Sequence, residues 1–136
     1  MGHKYLEDIG VTANRELWWL DNASYPNDKR IDQWKKEREV YGFDDRETWE
    51  LQFAFYFWLY ERLMMYVEHA GTIVNLEYHT FEYEGKEYNQ KQLIDLILER
   101  LRFCFSPEFD EYNEKHVEIV SSIAKLWAIV LPVMWW

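Results

Sequence analysis

Residues 44–70, DDRETWELQFAFYFWLYERLMMYVEHA, form the longest helix-compatible run in the chain and hold its densest apolar cluster. The start is legible. Asp44 suits an N-cap, its carboxylate placed to accept from the open N–H groups of the first turn, and Glu47 stands three residues on in the capping-box position. Asp45 and Glu47 put negative charge at the positive end of the helix dipole. At 3.6 residues per turn, Trp49, Phe53, Tyr56, Tyr60, Leu63 and Val67 share one face. Leu51, Phe55, Trp58 and Met65, with the polar Arg62 and His69, share roughly the opposite one. A helix apolar on both sides is expected to be a core helix, covered all round.

The rest of the chain must supply that cover. A length of 136 residues suits one domain with a sizeable core, and eight Trp with few Gly and Pro provide ample apolar surface to offset lost chain entropy. Twenty-five acids against fifteen bases leave a net charge of -10. That balance disfavours direct binding to nucleic acid or to anionic membranes. Cys104 is the single cysteine, which excludes an intrachain disulfide and a multi-cysteine zinc site; within LRFCF it reads as a buried thiol. The stretch MGHKYLEDIG has no signal-peptide core, and no run reaches ~18 uncharged apolar residues. The closest, 53–60, is cut by Gln52 and by Glu61-Arg62. A soluble intracellular protein is expected.

Residues 1–26 read as an N-terminal docking segment. Within it, 14–20 are expected to form one or two helical turns whose Trp18, Trp19 and Leu20 dock on the main body; 26–28 then read as a turn leading into the next helix. A helix is expected over about 28–40, with Ile31, Trp34 and Val40 as a sparse stripe and Asp32 spaced to pair with Lys35 and Lys36. Gly42 suits a left-handed cap and Phe43 a hydrophobic staple. Gly71 should stop the central helix. Residues 72–78 alternate with the period of a half-buried strand, and 81–88 resemble a tight hairpin turning at Gly85. Asn89 with Gln92 forms a second capping box, opening a helix to about Phe105 with Leu93, Ile94, Ile97, Leu98, Leu101 and Cys104 inward. Ser106-Pro107 is expected to start the last helix, with Glu108, Asp110 and Glu111 in its first turn and a stripe from Phe109 and Tyr112 to Leu131. The fold class is thus mainly α: a four-helix bundle-like single domain, 1–136, with a small β-hairpin between the second and third long helices and an aromatic tail, 133–136.

Chemical motifs are sparse. Glu47 and Glu50 make an E-x-x-E, but Mg²⁺ sites of helical pyrophosphohydrolases need a second acidic pair, E-x-x-D, on a following helix, and none occurs downstream. Arg62 and His69 fit the loose R-x6-H spacing of HEPN-type ribonucleases, though Leu63 stands where a polar residue usually follows the arginine. His3, His69, His79 and His116 show no zinc spacing, and there is no glycine-rich phosphate loop or nucleophile elbow. Neither catalysis nor a metal or cofactor is expected.

The tract Gly42-Phe43-Asp44-Asp45-Arg46-Glu47-Thr48-Trp49-Glu50-Leu51, followed by Ala54, Trp58-Leu59 and Arg62-Leu63, resembles a run in a group of small tailed-phage and prophage proteins. Leu126-Trp127 and Trp135-Trp136 are similar to the tryptophan-rich ends of that group. The resemblance implies a phage or prophage origin, hence a host cytoplasm, and a mostly helical fold; it implies no activity and no site residues. Between Tyr66 and Glu118 there are twelve acids against five bases. If hairpin and last helix share a face, they create a negative field able to dock on a nucleic-acid-binding groove. The leading expectation is therefore a phage-type protein that binds a protein partner stoichiometrically, as an acidic inhibitor of a host defence nuclease, through Glu82, Glu84, Glu87, Asp110, Glu111 and Glu114. The alternative is a homo-oligomeric phage accessory or structural protein using Trp135 and Trp136, and the third a HEPN-like ribonuclease.

Overall fold

The computed structural model describes residues 2–11 and 29–136. The turns expected over 14–20 and 26–28, with Trp18, Trp19 and Leu20, lie outside the described residues. The chain is mainly α and helical-bundle-like, with one two-stranded antiparallel hairpin among the described residues. It divides into two compact units, Met1–Leu59 and Tyr60–Trp136, and the division falls inside the long central helix.

In the first unit, a short α1 (Lys4–Glu7) occupies a segment for which no element was expected, and Leu6 and Val11 are buried there. α2 (Ile31–Tyr41) ends on Gly42, whose φ of +86° is the left-handed cap conformation; its N–H donates to the Arg38 carbonyl at 3.0 Å. Trp34 is the buried anchor of α2, whereas Val40 is exposed and does not belong to its stripe. Among the described residues, Asp32 makes no ion pair with Lys35 or Lys36. Exposed pairs of this kind gain too little to hold two long side chains in one geometry.

Asp44 does cap, but the element it opens is a 3₁₀ turn, Asp45–Thr48, and α3 starts only at Leu51, running to Ala70. The capping-box geometry gives way to a stronger interaction. Asp44 is buried, and its Oδ1 accepts from the Arg46 backbone N–H at 3.1 Å and Nε at 2.9 Å, while Oδ2 accepts from Nη2 at 2.7 Å. A bidentate, charge-assisted pair holds the Asp44 carboxylate more firmly than the single N3 backbone N–H of a capping box would. The Arg46 guanidinium lies 4.1 Å from the Trp34 ring centroid, with Arg30 at 5.0 Å. Trp34 Nε1 donates to Asp45 Oδ1 at 2.9 Å, and Trp49 packs edge-on against the same indole. The DDRETW tract is thus a clamp on Trp34. Phe43 remains half-exposed beside Tyr41.

α3 is not covered all round. Phe53, Tyr56, Phe57, Leu59, Tyr60, Leu63 and Ala70 are buried, while Leu51, Phe55, Trp58 and Met65 of the opposite face are exposed, as is Trp49 of the first. Helical spacing makes both faces apolar, but burial depends on how many neighbours the chain can place around the helix. Phe55 and Trp58 stack on each other, centroids 6.5 Å apart and planes within 15°.

In the second unit, α3 stops at Ala70 as expected, but Gly71 does not take positive φ. It is there for closeness: an added Cβ would stand 2.7 Å from the Val67 carbonyl oxygen. The strand expected over 72–78 does not form. Ile73 and Val74 both donate to the Ala70 carbonyl at 2.9 Å and Thr72 to that of His69. These N–H groups satisfy the end of α3 and are lost to a strand ladder.

The hairpin itself is β1 (Thr80–Tyr83) and β2 (Lys86–Asn89). Glu84 and Gly85, at φ +51° and +75°, make the two-residue turn whose twist suits adjoining strands. Phe81, Tyr83 and Tyr88 face inward and Thr80, Glu82 and Glu87 outward. Asn89 and Gln92 form the full reciprocal capping box, at 2.8 and 2.9 Å, and open α4 (Gln90–Phe105). All six expected inward residues of α4 are buried, Cys104 included. Each such aliphatic side chain contributes about 1.5–3 kcal/mol through burial.

The last helix starts later than expected. Pro107 forces Ser106 into extended backbone (ψ 158°), ending α4, and residues 106–113 then fold as turns. Asp110 Oδ1 accepts from the Tyr112 N–H at 3.0 Å, and Asn113, not Pro107, opens α5 (Glu114–Val130) by accepting from Lys115 N–H at 2.9 Å. Local side-chain bonds from Asp and Asn thus compete successfully with helix here. Tyr112 is consequently exposed, and Phe109 stacks on His116, whose Nδ1 accepts from the Asp110 N–H. α5 packs on α4, buries Ile123, Leu126 and Val130, and passes into a 3₁₀ turn, Leu131–Val133, at Pro132. The span Glu114–Val133 is long and apolar enough by length and composition to cross a membrane, and 17% of its 18-residue apolar window is buried.

Candidate functional site

Two surfaces and one cavity of the second unit merit comparison with the expected site residues. The hairpin lies alongside α4, because the buried Tyr83 near its tip meets Arg100 of that helix, hydroxyl to Nη1 at 3.4 Å. Its outward face carries Glu82 directly opposite Glu87, with Glu84 in the turn, all three exposed. Like charges facing each other across a ladder destabilise it, so this pair is held at a cost. Asp110 and Glu111 sit in the turns before α5 and Glu114 in its first turn, also exposed. Among the described residues, no hydrogen bond or ion pair joins the two acidic sets. Asp110 is already used locally, to build the turn that places His116.

α5 offers a different surface. Val117, Ser121, Ala124, Ala128 and Leu131 recur at i+4, i+3, i+4 and i+3, so they fall in one stripe, and every one is exposed. The stripe runs about 21 Å without a charge. Val120 and Trp127 flank it, half-buried, on one side; Glu118 and Lys125 on the other. Beyond the helix, Trp135 and Trp136 are 68% and 57% exposed.

The C-terminal segment is tied down by a residue that no sequence motif singled out. Gln90 is 2% exposed, and its Nε2 donates to the Tyr66 hydroxyl at 3.2 Å, the Val133 carbonyl at 3.4 Å and the Met134 sulfur at 3.5 Å. Tyr66 in turn donates to the Trp135 carbonyl at 3.2 Å. A cavity of about 250 Å³ lies here, lined by Tyr66, Val74, Asn75, Tyr78, His79, Gln90, Val133 and Trp135. The signal was present in the sequence: Gln90 occupies an apolar-face position of α4, one turn before Leu93 and Ile94. Polar groups there must find partners, and so organise their surroundings.

Arg62, His69, Glu47 and Glu50, the candidate catalytic residues, do not line this cavity. Arg62 and His69 are exposed on α3, and the His69 ring stacks on Trp136 at 6.4 Å. Glu47 lies in the 3₁₀ turn and Glu50 is exposed. Among the described residues no cluster of three or more His, Cys, Asp or Glu has the geometry to hold a metal ion. Compared with family models, curated proteins and solved structures, the chain matches none of them.

Proposed function

We propose that this chain is a non-catalytic protein of phage type that acts by stoichiometric protein binding, and that it self-associates through α5. The observation that carries this reading is the uncharged stripe from Val117 to Leu131, exposed along the length of the helix. Contiguous apolar surface of that kind marks interaction sites on folded proteins. The small Ser121, Ala124 and Ala128 at its centre let a second helix approach closely, while Leu131 and the half-buried Trp127 offer larger anchors beside them. The stripe lies on one side of one helix, so a two-fold pairing of identical helices matches it with itself. A host-cytoplasmic setting follows from the phage resemblance alone.

The test is sedimentation velocity over a concentration series, comparing the natural chain with Ala124→Glu/Ala128→Glu. Both positions are exposed on a helix, so the fold tolerates the change, whereas a symmetric contact would bring like charges together. Concentration-dependent association that the double variant abolishes supports the reading, and a monomer at every concentration refutes it.

A second reading rests on the hairpin. Glu82 facing Glu87, with Glu84 beside them, is a costly arrangement that a cationic groove would relieve, as in an acidic inhibitor of a host nuclease. Binding by that route weakens as salt rises, and is lost in Glu82→Lys/Glu87→Lys. Inhibition of the nuclease that the double variant leaves intact rules it out.

A further inference from the structure

The geometry points to a ligand site in the cavity beside Gln90, one that takes a neutral, planar heteroaromatic ring carrying an N–H donor. The amide of Gln90 has a determined orientation. Its Nε2 faces the Val133 carbonyl, which can only accept, so nitrogen and oxygen cannot be exchanged. The Oε1 atom on the other side accepts from no donor among the described residues. Among those residues no sealed side-chain oxygen or nitrogen lacks a partner. This oxygen is therefore not sealed off, and Gln90 is one of the residues that line the cavity. An acceptor on a residue 2% exposed, unused by the protein and beside a cavity that the residue lines, is available to a donor from a ligand.

The walls narrow the class. Tyr66, Tyr78, His79 and Trp135 provide aromatic surface and Val74 and Val133 aliphatic surface, with no Asp, Glu, Lys or Arg among the lining residues, which selects against a charged ligand. The volume of about 250 Å³ is below that of sites for drug-sized molecules, roughly 300–1,000 Å³, and suits one fused ring system. The Tyr66 hydroxyl already accepts from Gln90 and donates to Trp135, so it shapes the wall and leaves the donor recognition to Oε1. Indole has the required chemistry, whether as a free small molecule or as a tryptophan side chain of a peptide.

The experiment is a titration of the ¹⁵N-labelled full chain with indole, with 1-methylindole and with N-acetyltryptophanamide, followed by amide shifts. Indole is expected to move the amides of Asn75, Tyr78, His79 and Gln90 in a saturable way. Its 1-methyl derivative, which keeps the ring and lacks the N–H, should bind roughly five- to tenfold more weakly, the loss of one hydrogen bond to a withdrawn acceptor. Comparable binding of the tryptophan amide identifies a peptide side chain as the source; binding of indole alone identifies a free small molecule. Tyr78→Ser, at an exposed position that leaves the fold intact, should weaken indole, and Gln90→Leu should abolish the distinction between the two indoles. Equal affinity for indole and 1-methylindole, or shifts confined to other surfaces, overturns the assignment.

Discussion

Arg46→Ala removes the partner of Asp44, the most deeply buried charge among the described residues of the first unit. Asp44 is 1% exposed and Arg46 3%, and two of the three hydrogen bonds to the Asp44 carboxylate come from the Arg46 guanidinium. After truncation the carboxylate keeps the backbone N–H and a longer approach from Arg38, Nη1 to Oδ2 at 3.6 Å. Breaking a buried pair from one side costs about 3–5 kcal/mol, because the remaining charge is left without compensation. Arg38 is only partly exposed and already near, which places the expected loss toward the lower end, about 3 kcal/mol. The guanidinium also leaves the face of Trp34, from 4.1 Å, so the indole environment changes with it. Urea unfolding followed by tryptophan fluorescence and far-ultraviolet circular dichroism measures the difference, with the slope against denaturant confirming that the unfolded state is unaltered. Asp44→Asn/Arg46→Met keeps a capping oxygen and the bulk while removing both charges, and should recover most of the loss. A cost below about 1 kcal/mol for Arg46→Ala, at unchanged slope, would mean that water reaches the pair and that the clamp is not what organises this tract.

Other perturbations test the same geometry. Asn89→Ala removes one half of the capping box of α4 and should cost about 1 kcal/mol, read as a lowered midpoint in the same unfolding experiment. Leu101→Ala, at a fully buried position of that helix, should cost about 2–5 kcal/mol. Glu87→Lys replaces a repulsive cross-strand pair by an attractive one and should stabilise the hairpin by a few tenths to about 1 kcal/mol, raising the protection of the β1 and β2 amides against hydrogen exchange.

The elements legible from the sequence are those held by short-range bonds. Asn89 and Gln92 satisfy each other three residues apart, Gly42 closes α2 with its own N–H, and Glu84-Gly85 determines a two-residue turn, so local spacing suffices in each case. Where two local signals compete, spacing does not say which wins. Residues 72–78 alternate like a strand, yet their N–H groups complete the end of α3; Pro107 can begin a helix, yet Asp110 and Asn113 turn the chain first and start it at Glu114. Burial was less legible still. The two apolar faces of α3 look alike in sequence, and only the arrangement of the other elements leaves Leu51, Phe55 and Trp58 outside. The site shows the same division. Trp135 and Trp136 were legible as an exposed apolar end, whereas the cavity depends on Gln90 meeting Tyr66 and Val133, residues 24 and 43 positions away.

The most direct test of function through α5 is the oligomeric state of the purified chain. Sedimentation velocity of the natural protein should show a species that grows with concentration at the expense of monomer, and Ala124→Glu/Ala128→Glu, with an unaltered circular dichroism spectrum, should remain monomeric throughout. A natural chain that is monomeric at every concentration, or a double variant that associates as the natural one does, would show that the stripe from Val117 to Leu131 is not the interface.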